Sequence, residues 1–343
     1  MKSALLPRLA LAGVLVFGVS TNVQADEEIY VVGSSTVFPF TARIIQDFSS
    51  RGGTRVIGKA TGTTGGMTEF CSGALPTTPS ITGASRPIKE SERQACKANG
   101  VTDILELKIG HDGIAIISSS KLERTNFTRQ ALYRGLAAEV PVGGTMRPNP
   151  YRAWKDIDLD LPAYPIKFFG PPNTSGTREI FETLGMLQGA LKIEAFQSVA
   201  VEDRKRVGTA IRQDGPYQEM GEDDIEIINK VREEEGSFGI VGFSYAYDHD
   251  GEVRLHKIDG VDVTFETIET GEYPLSRDLF LYVKEQHYSL IPGLAEFLEL
   301  YVSDRSLAQD GVLEGLGLVP LSDADRKSVQ DKLAQSVTKS ASN

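Results

Sequence analysis

Short apolar runs alternate along the chain with longer stretches whose apolar residues recur every three or four positions. Ile29–Val32 reads as a strand, and from Pro39 to Ser49 the residues Phe40, Ile44, Ile45 and Phe48 share one helical face. Arg55–Ile57 predicts a second strand, and Gly65–Phe70 the start of a second helix. Ile104–Leu107 and Ile114–Ile117 predict two further strands, the second an unbroken apolar run of the kind buried on both faces. Tyr164–Phe169 predicts a strand followed by a helix from about Thr177. Phe238–Phe243 and Leu279–Val283 predict late strands, and Pro292–Val302 a helix. This alternation predicts an α/β fold with loops at the strand-to-helix switches.

With 343 residues, two lobes are expected. Residues 1–25 have the features of a secretory signal: Lys2 and Arg8 ahead of the apolar stretch Leu9–Val19, then Val23-Gln24-Ala25 as a cleavage site. Removing them takes away two cations and no anion, so the net charge of −11 becomes more negative still. Such an acidic chain is a poor binder of nucleic acid or anionic lipid. No later stretch reaches the ~18 apolar residues that a membrane span needs. The expected location is periplasmic. Export favours pairing the two cysteines, Cys71 and Cys96, as a disulfide.

One loop design recurs four times. Gly33-Ser34-Ser35-Thr36 and Gly62-Thr63-Thr64-Gly65-Gly66 each lie between a predicted strand and a predicted helix, as does Ser175-Gly176-Thr177-Arg178. Gly83-Ala84-Ser85-Arg86 adds a fourth small-residue loop with a cation attached. A helix start leaves backbone N–H groups without partners and carries partial positive charge, which suits an anion. Serine and threonine add rotatable donors, and Arg86 and Arg178 each offer a fork suited to a tetrahedral oxyanion. Any one such hydroxyl is ordinarily just a helix cap. Four loops together, in an acidic chain that repels anions at long range, point to a closed cleft between lobes.

The chain resembles the periplasmic phosphate-binding proteins of the phosphate ABC transporter, the PstS family. The resemblance runs from Ile29 to Leu321 and is carried by VGSSTVFPF (32–40), TGTTGGM (61–67), GASRPI (83–88), HDGIAII (111–117), AWKDI (153–157), GPPNTSGTREIF (170–181), SFGIVGFSYAY (237–247), YPLSRDLFLYV (273–283) and GLVPL (317–321). It implies two α/β lobes of the type II binding-protein fold, each a mixed sheet flanked by helices and joined by crossing strands near 108–114 and 270–278. Lobe 1 takes residues 26–110 and 274–343, and lobe 2 takes 111–273. Inorganic phosphate would lie in the cleft, held by Ser35, Thr36, Thr63, Thr64, Ser85, Arg86, Ser175, Gly176, Thr177 and Arg178. Two positions depart from some members of the family. Pro171 stands where they carry an arginine, for which Arg178 is the expected substitute, and Arg86 stands where they carry an aspartate that accepts the phosphate proton. Asp112 is the candidate replacement acceptor, or else holds an arginine in place. Arg212 and Asp214 are candidate cleft residues. An inner-membrane ABC permease is the implied partner of a monomeric receptor without cofactor or metal.

Other readings fare worse. Gly53–Lys59 has P-loop spacing, but Ala60 replaces the metal-binding hydroxyl residue. His111, His249, His256 and His287 form no metal-ligand spacing, and Asp248-His249-Asp250 reads as a solvated turn. Glu222–Asp224 and Glu233–Glu235 read as exposed helix faces, and Trp154 as core. An exported phosphatase would need a nucleophile with a base, or a metal pair, and the His and Cys supply is poor for either. A phosphate-binding surface or adhesion protein is the remaining alternative.

Overall fold

The computed structural model describes residues 28–341, apart from Thr174 and Glu222. The signal segment therefore lies outside the described residues, as does Glu222. Strands are β1 (Ile29–Gly33), β2 (Val56–Ala60), β3 (Ile81–Ala84), β4 (Ile104–Ser119), β5 (Asn126–Phe127), β6 (Glu139–Val142), β7 (Thr145–Pro148), β8 (Phe168–Gly170), β9 (Tyr217–Glu219), β10 (Phe238–Gly242), β11 (Val253–Leu255), β12 (Lys257–Ile258) and β13 (Ser276–Lys284). The principal sheet runs β2-β1-β3-β13-β4-β10-β8-β9, with β11 also on β4. β5 pairs with β12, and β6 with β7, away from it.

This sheet is shared by two lobes. In the first, β1 lies parallel to β2 and β3, with Gly33 opposite both Ala60 and Gly83. In the second, β8 lies parallel to β9 and β10. β4 and β13 join them: residues 104–113 of β4 pair antiparallel with β13, and residues 114–118 pair with β10. Two strands were expected where this single one runs. The sequence His111-Asp112-Gly113 interrupts the apolar pattern because the strand passes there from one lobe to the other, not because it ends. The expected strand at Tyr164–Phe169 shrinks to Phe168–Gly170, since its first half forms only an isolated bridge from Pro165 to Ala153.

Buried side chains gather in separate clusters. The largest draws on residues between Ile114 and Leu275 and takes in Val319. Trp154, fully buried there as expected, meets Phe127, Phe168 and Phe238 edge to face. A second cluster joins Ile29–Ile109 to Leu279–Leu333. A third lies around Met67, Phe70 and Tyr282 and contains the Cys71–Cys96 disulfide, which ties helix α2 (Gly62–Phe70), with Cys71 at its end, to α3 (Glu90–Ala98), a later pair in numbering than α1 (Phe38–Ser50). Helix α2 begins earlier than expected, running through its glycines. Gly66 needs to be glycine because a Cβ there would sit 2.4 Å from the Gly33 Cα, so α2 and β1 touch backbone to backbone.

Candidate functional site

The loops of the first lobe leave the carboxyl ends of β1, β2 and β3, and those of the second leave β8 and β10, so both sets open on one crevice. The hydroxyls at these helix starts do not act as caps. Helices α1 and α2, and the helix Gly176–Ile180 in the second lobe, all lack a side-chain cap bond. Elsewhere Thr128, Asp223 and Thr264 do cap their helices.

A cavity of about 270 Å³ lies between the lobes, lined by Ser35 and Thr36 from the first and Ser175, Gly176 and Thr177 from the second. Asp112, from the crossing strand β4, also lines it, as do Asp224, Gly242, Tyr245 and Gly317, none of which the sequence reading nominated. Asp224 was expected on an exposed helix face. Instead it is 8% exposed and accepts a hydrogen bond from the Gly242 amide at 2.8 Å.

The cation beside this cavity is Arg277. It stands directly opposite Asp112 in the β13–β4 register, so the two side chains share a sheet face. Its Nε lies 3.7 Å from Asp112 Oδ2. Its Nη2 donates to Thr36 Oγ1 at 2.5 Å and to Glu179 Oε2 at 3.2 Å. The Thr36 hydroxyl in turn faces the same glutamate oxygen at 3.4 Å. Arg277 Nε is buried and makes no hydrogen bond. Burial pushes the Asp112 carboxyl above its ordinary pKa, Arg277 opposes that rise, and the charge of Glu179 adds to it. The signal for Arg277 was present in YPLSRDLFLYV: the charged pair Arg277-Asp278 stands at the head of an apolar run.

Other nominated residues lie elsewhere. Arg178 turns into the second lobe, where it is 5% exposed, donates to Glu182 at 2.6 Å and to the Pro171 carbonyl at 3.2 Å, and sits 4.4 Å over the Tyr217 ring. It is not among the residues that line the cavity, where it was expected to stand in for an arginine at position 171. Asp214 holds the buried Arg212 through two bonds of 2.6 and 2.8 Å, which draw its pKa down to about 2. Arg212 also donates to the carbonyls of Gly135, Asn149 and Tyr151, so the pair is a structural clamp inside the second lobe.

Thr63, Thr64, Ser85 and Arg86 form their own network outside the cavity lining. Thr63 Oγ1 is 3.1 Å from Ser85 Oγ and accepts the Ser85 amide at 3.2 Å. Arg86 reaches Thr64 Oγ1 at 3.3 Å but is engaged chiefly by both carboxylate oxygens of Glu92, at 2.7 and 2.9 Å. This cluster adjoins the first loop, where the Ser34 amide donates to the Gly83 carbonyl. Among the described residues no group of three His, Cys, Asp or Glu side chains is placed to hold a metal ion.

Residues 18–305 match the PBP superfamily domain. The protein SphX of Synechocystis sp. is 30% identical over 90% of this chain and 83% of its own length. The chain belongs to the PBP superfamily and, within it, to the PstS family. The phosphate-binding protein PstS of Staphylococcus saprophyticus is 24% identical, over 92% of this chain and 87% of its own. Among solved structures, a possible phosphate binding protein from Planctomyces limnophilus superposes with a TM-score of 0.71 at 26% identity, over 90% of this chain and 98% of that one. For a member of the PstS family, the crevice between the two half-sheets is therefore the place to look for an anion.

Proposed function

We propose that this chain is an extracytoplasmic receptor that captures inorganic phosphate between its lobes and hands it to an inner-membrane ABC permease. The observation that carries the reading is the convergence of Thr36, Ser175, Gly176 and Thr177, from facing loops, with the Asp112–Arg277 pair around one cavity. Hydroxyls and helix-start amides supply donors for the oxygens, and Arg277 supplies charge. Asp112, largely shielded from solvent and raised in pKa by desolvation, suits a ligand that still carries a proton at neutral pH. Sulfate brings no such proton and would face the carboxylate oxygen against oxygen.

The residues proposed to touch phosphate are Ser35, Thr36, Ser175, Gly176, Thr177 and Arg277, with Thr63 and Ser85 supporting the first loop. We place the lobe boundaries at residues 110/111 and 273/274; the buried clusters support that division, although Leu275 and Val319 pack with the second lobe. We read residues 1–25 as the export signal. No described helix is long and apolar enough to cross a membrane. The receptor acts as a monomer and performs no chemistry on its ligand.

Calorimetric titration of the purified protein with phosphate, sulfate and molybdate tests this directly. The expected result is one phosphate bound per chain, with sulfate at least tenfold weaker. Absence of phosphate binding overturns the reading, and metal-supplemented phosphatase turnover overturns the receptor role in favour of an enzyme.

A further inference from the structure

Arg277 is bonded to the cavity wall, and two carboxylates already compete for it. The Asp112 side chain is 13% exposed, whereas the Glu179 side chain is 47% exposed. Glu179 lies on the helix that carries the Ser175–Thr177 donors, yet its Oε2 spans the crevice to Arg277 of β13 and Thr36 of the first lobe. A carboxylate oxygen there receives the same two donors, a guanidinium N–H and a hydroxyl, that a phosphate oxygen would take. With one cation between two anions, an entering phosphate adds negative charge to a site already negative. One carboxylate has to yield. Asp112 is fixed by its place inside β4, while Glu179 has an exposed side chain that can turn out to solvent.

We infer that Glu179 is a displaceable surrogate anion: it holds Arg277 and Thr36 in place before the ligand arrives and gives up both donors when phosphate binds. The inference rests on the proposed function, because it names the competitor for the same site. Glu179 thereby sets affinity without being a ligand contact. It also gives the unliganded crevice a bond between the lobes that phosphate replaces with its own.

The test is phosphate titration of the wild-type protein alongside Glu179→Gln and Glu179→Asp, with stopped-flow kinetics on each. A half-exposed ion pair of this kind has a strength corresponding to roughly a two- to fivefold change in affinity. Glu179→Gln should therefore bind phosphate about two- to fivefold more tightly, with the gain in the association rate and the dissociation rate nearly unchanged. Glu179→Asp, too short to reach both donors, should shift the same way by a smaller factor. Unchanged or weaker phosphate binding by both variants overturns the inference. Weaker phosphate binding together with stronger sulfate binding would make Glu179 the proton acceptor, which also overturns it. Failure of the wild-type protein to bind phosphate is a separate result, and it removes the functional reading itself.

Discussion

Thr36 lines the cavity, accepts from Arg277 and faces Glu179 across the lobes. The Thr177 hydroxyl, on the opposite wall, comes from the second lobe. A hydrogen bond to a charged group is worth roughly 1.5–3 kcal/mol, so Thr177→Val and Arg277→Met should each weaken phosphate binding by at least about tenfold. Arg178→Met and Asp214→Asn should instead lower the melting midpoint and leave affinity within about twofold. Titration calorimetry and thermal melts of the four variants check both halves of that contrast. The reason that Ser35, Thr36 and the Ser175–Thr177 triplet were legible in the sequence, and Arg178 was not, lies in helix geometry. Glycine and hydroxyl residues at a strand-to-helix switch face the crevice through their backbone as much as their side chains. One residue further into the helix, the side chain has rotated by about 100°, and Arg178 finds Glu182 four positions on rather than the ligand. Arg277 was missed for the converse reason. Its neighbour Asp112 lies far away in sequence, and only strand register brings the two together.

At the scale of elements, the narrowest point of the crevice is where Gly176 meets the first loop. A Cβ on Gly176 would lie 2.8 Å from Thr36 Oγ1 and 3.2 Å from its Cα. Gly176 opens its helix with an ordinary negative φ, so alanine brings no backbone strain, only bulk directed across the crevice. Gly176→Ala should prop the lobes apart, weakening phosphate binding by about tenfold or more with the melting midpoint of the unliganded protein nearly unchanged. Unaltered affinity would mean that the loops need not meet. Helices α1 and α2 and strands β1, β10 and β13 were readable because each has one consistent pattern of burial. β4 was not, since its pattern changes where it passes between lobes. The far end of β13 carries a further charge, Lys284, that is buried although nothing in its local pattern predicts it. Lys284 Nζ donates to the Gly73 carbonyl at 2.6 Å and Thr78 Oγ1 at 2.7 Å and lies 5.0 Å from the centre of the Phe70 ring. Desolvation lowers its pKa from 10.5 to about 8. Between those values the unfolded chain holds a proton that the folded chain has released, so stability from this group rises with pH across the window. Its cost is full below about pH 8 and gone above the unfolded value. Denaturant unfolding of wild type and Lys284→Met at pH 7, 8, 9 and 10 should show their stability difference changing in favour of wild type as pH rises. A constant difference would show that the lysine keeps its proton throughout.

For the molecule as a whole, the difficulty is that an acidic protein must collect an anion. The net charge is −11 with the first 25 residues included, and Asp112, Glu179 and Asp224 add negative charge at or beside the cavity. Long-range attraction therefore cannot assist capture, and affinity has to come from donors within hydrogen-bond reach inside the crevice. That division of labour predicts an unusual salt response. Where a protein steers its ligand electrostatically, added salt slows association. Here the field repels, so screening it should speed association. The Debye length falls from about 30 Å at 0.01 M to about 8 Å at 0.15 M, well below the dimensions of a lobe, while the contacts inside the cavity are screened much less. Stopped-flow measurement of phosphate binding in sodium chloride over that range should give an association rate that rises with salt and a dissociation rate that changes little. The Glu179→Gln variant, with one repelling charge removed, should show the shallower rise. An association rate that falls with salt in both proteins would mean that a local positive field around Arg277 reaches beyond the crevice and outweighs the charge of the rest of the chain.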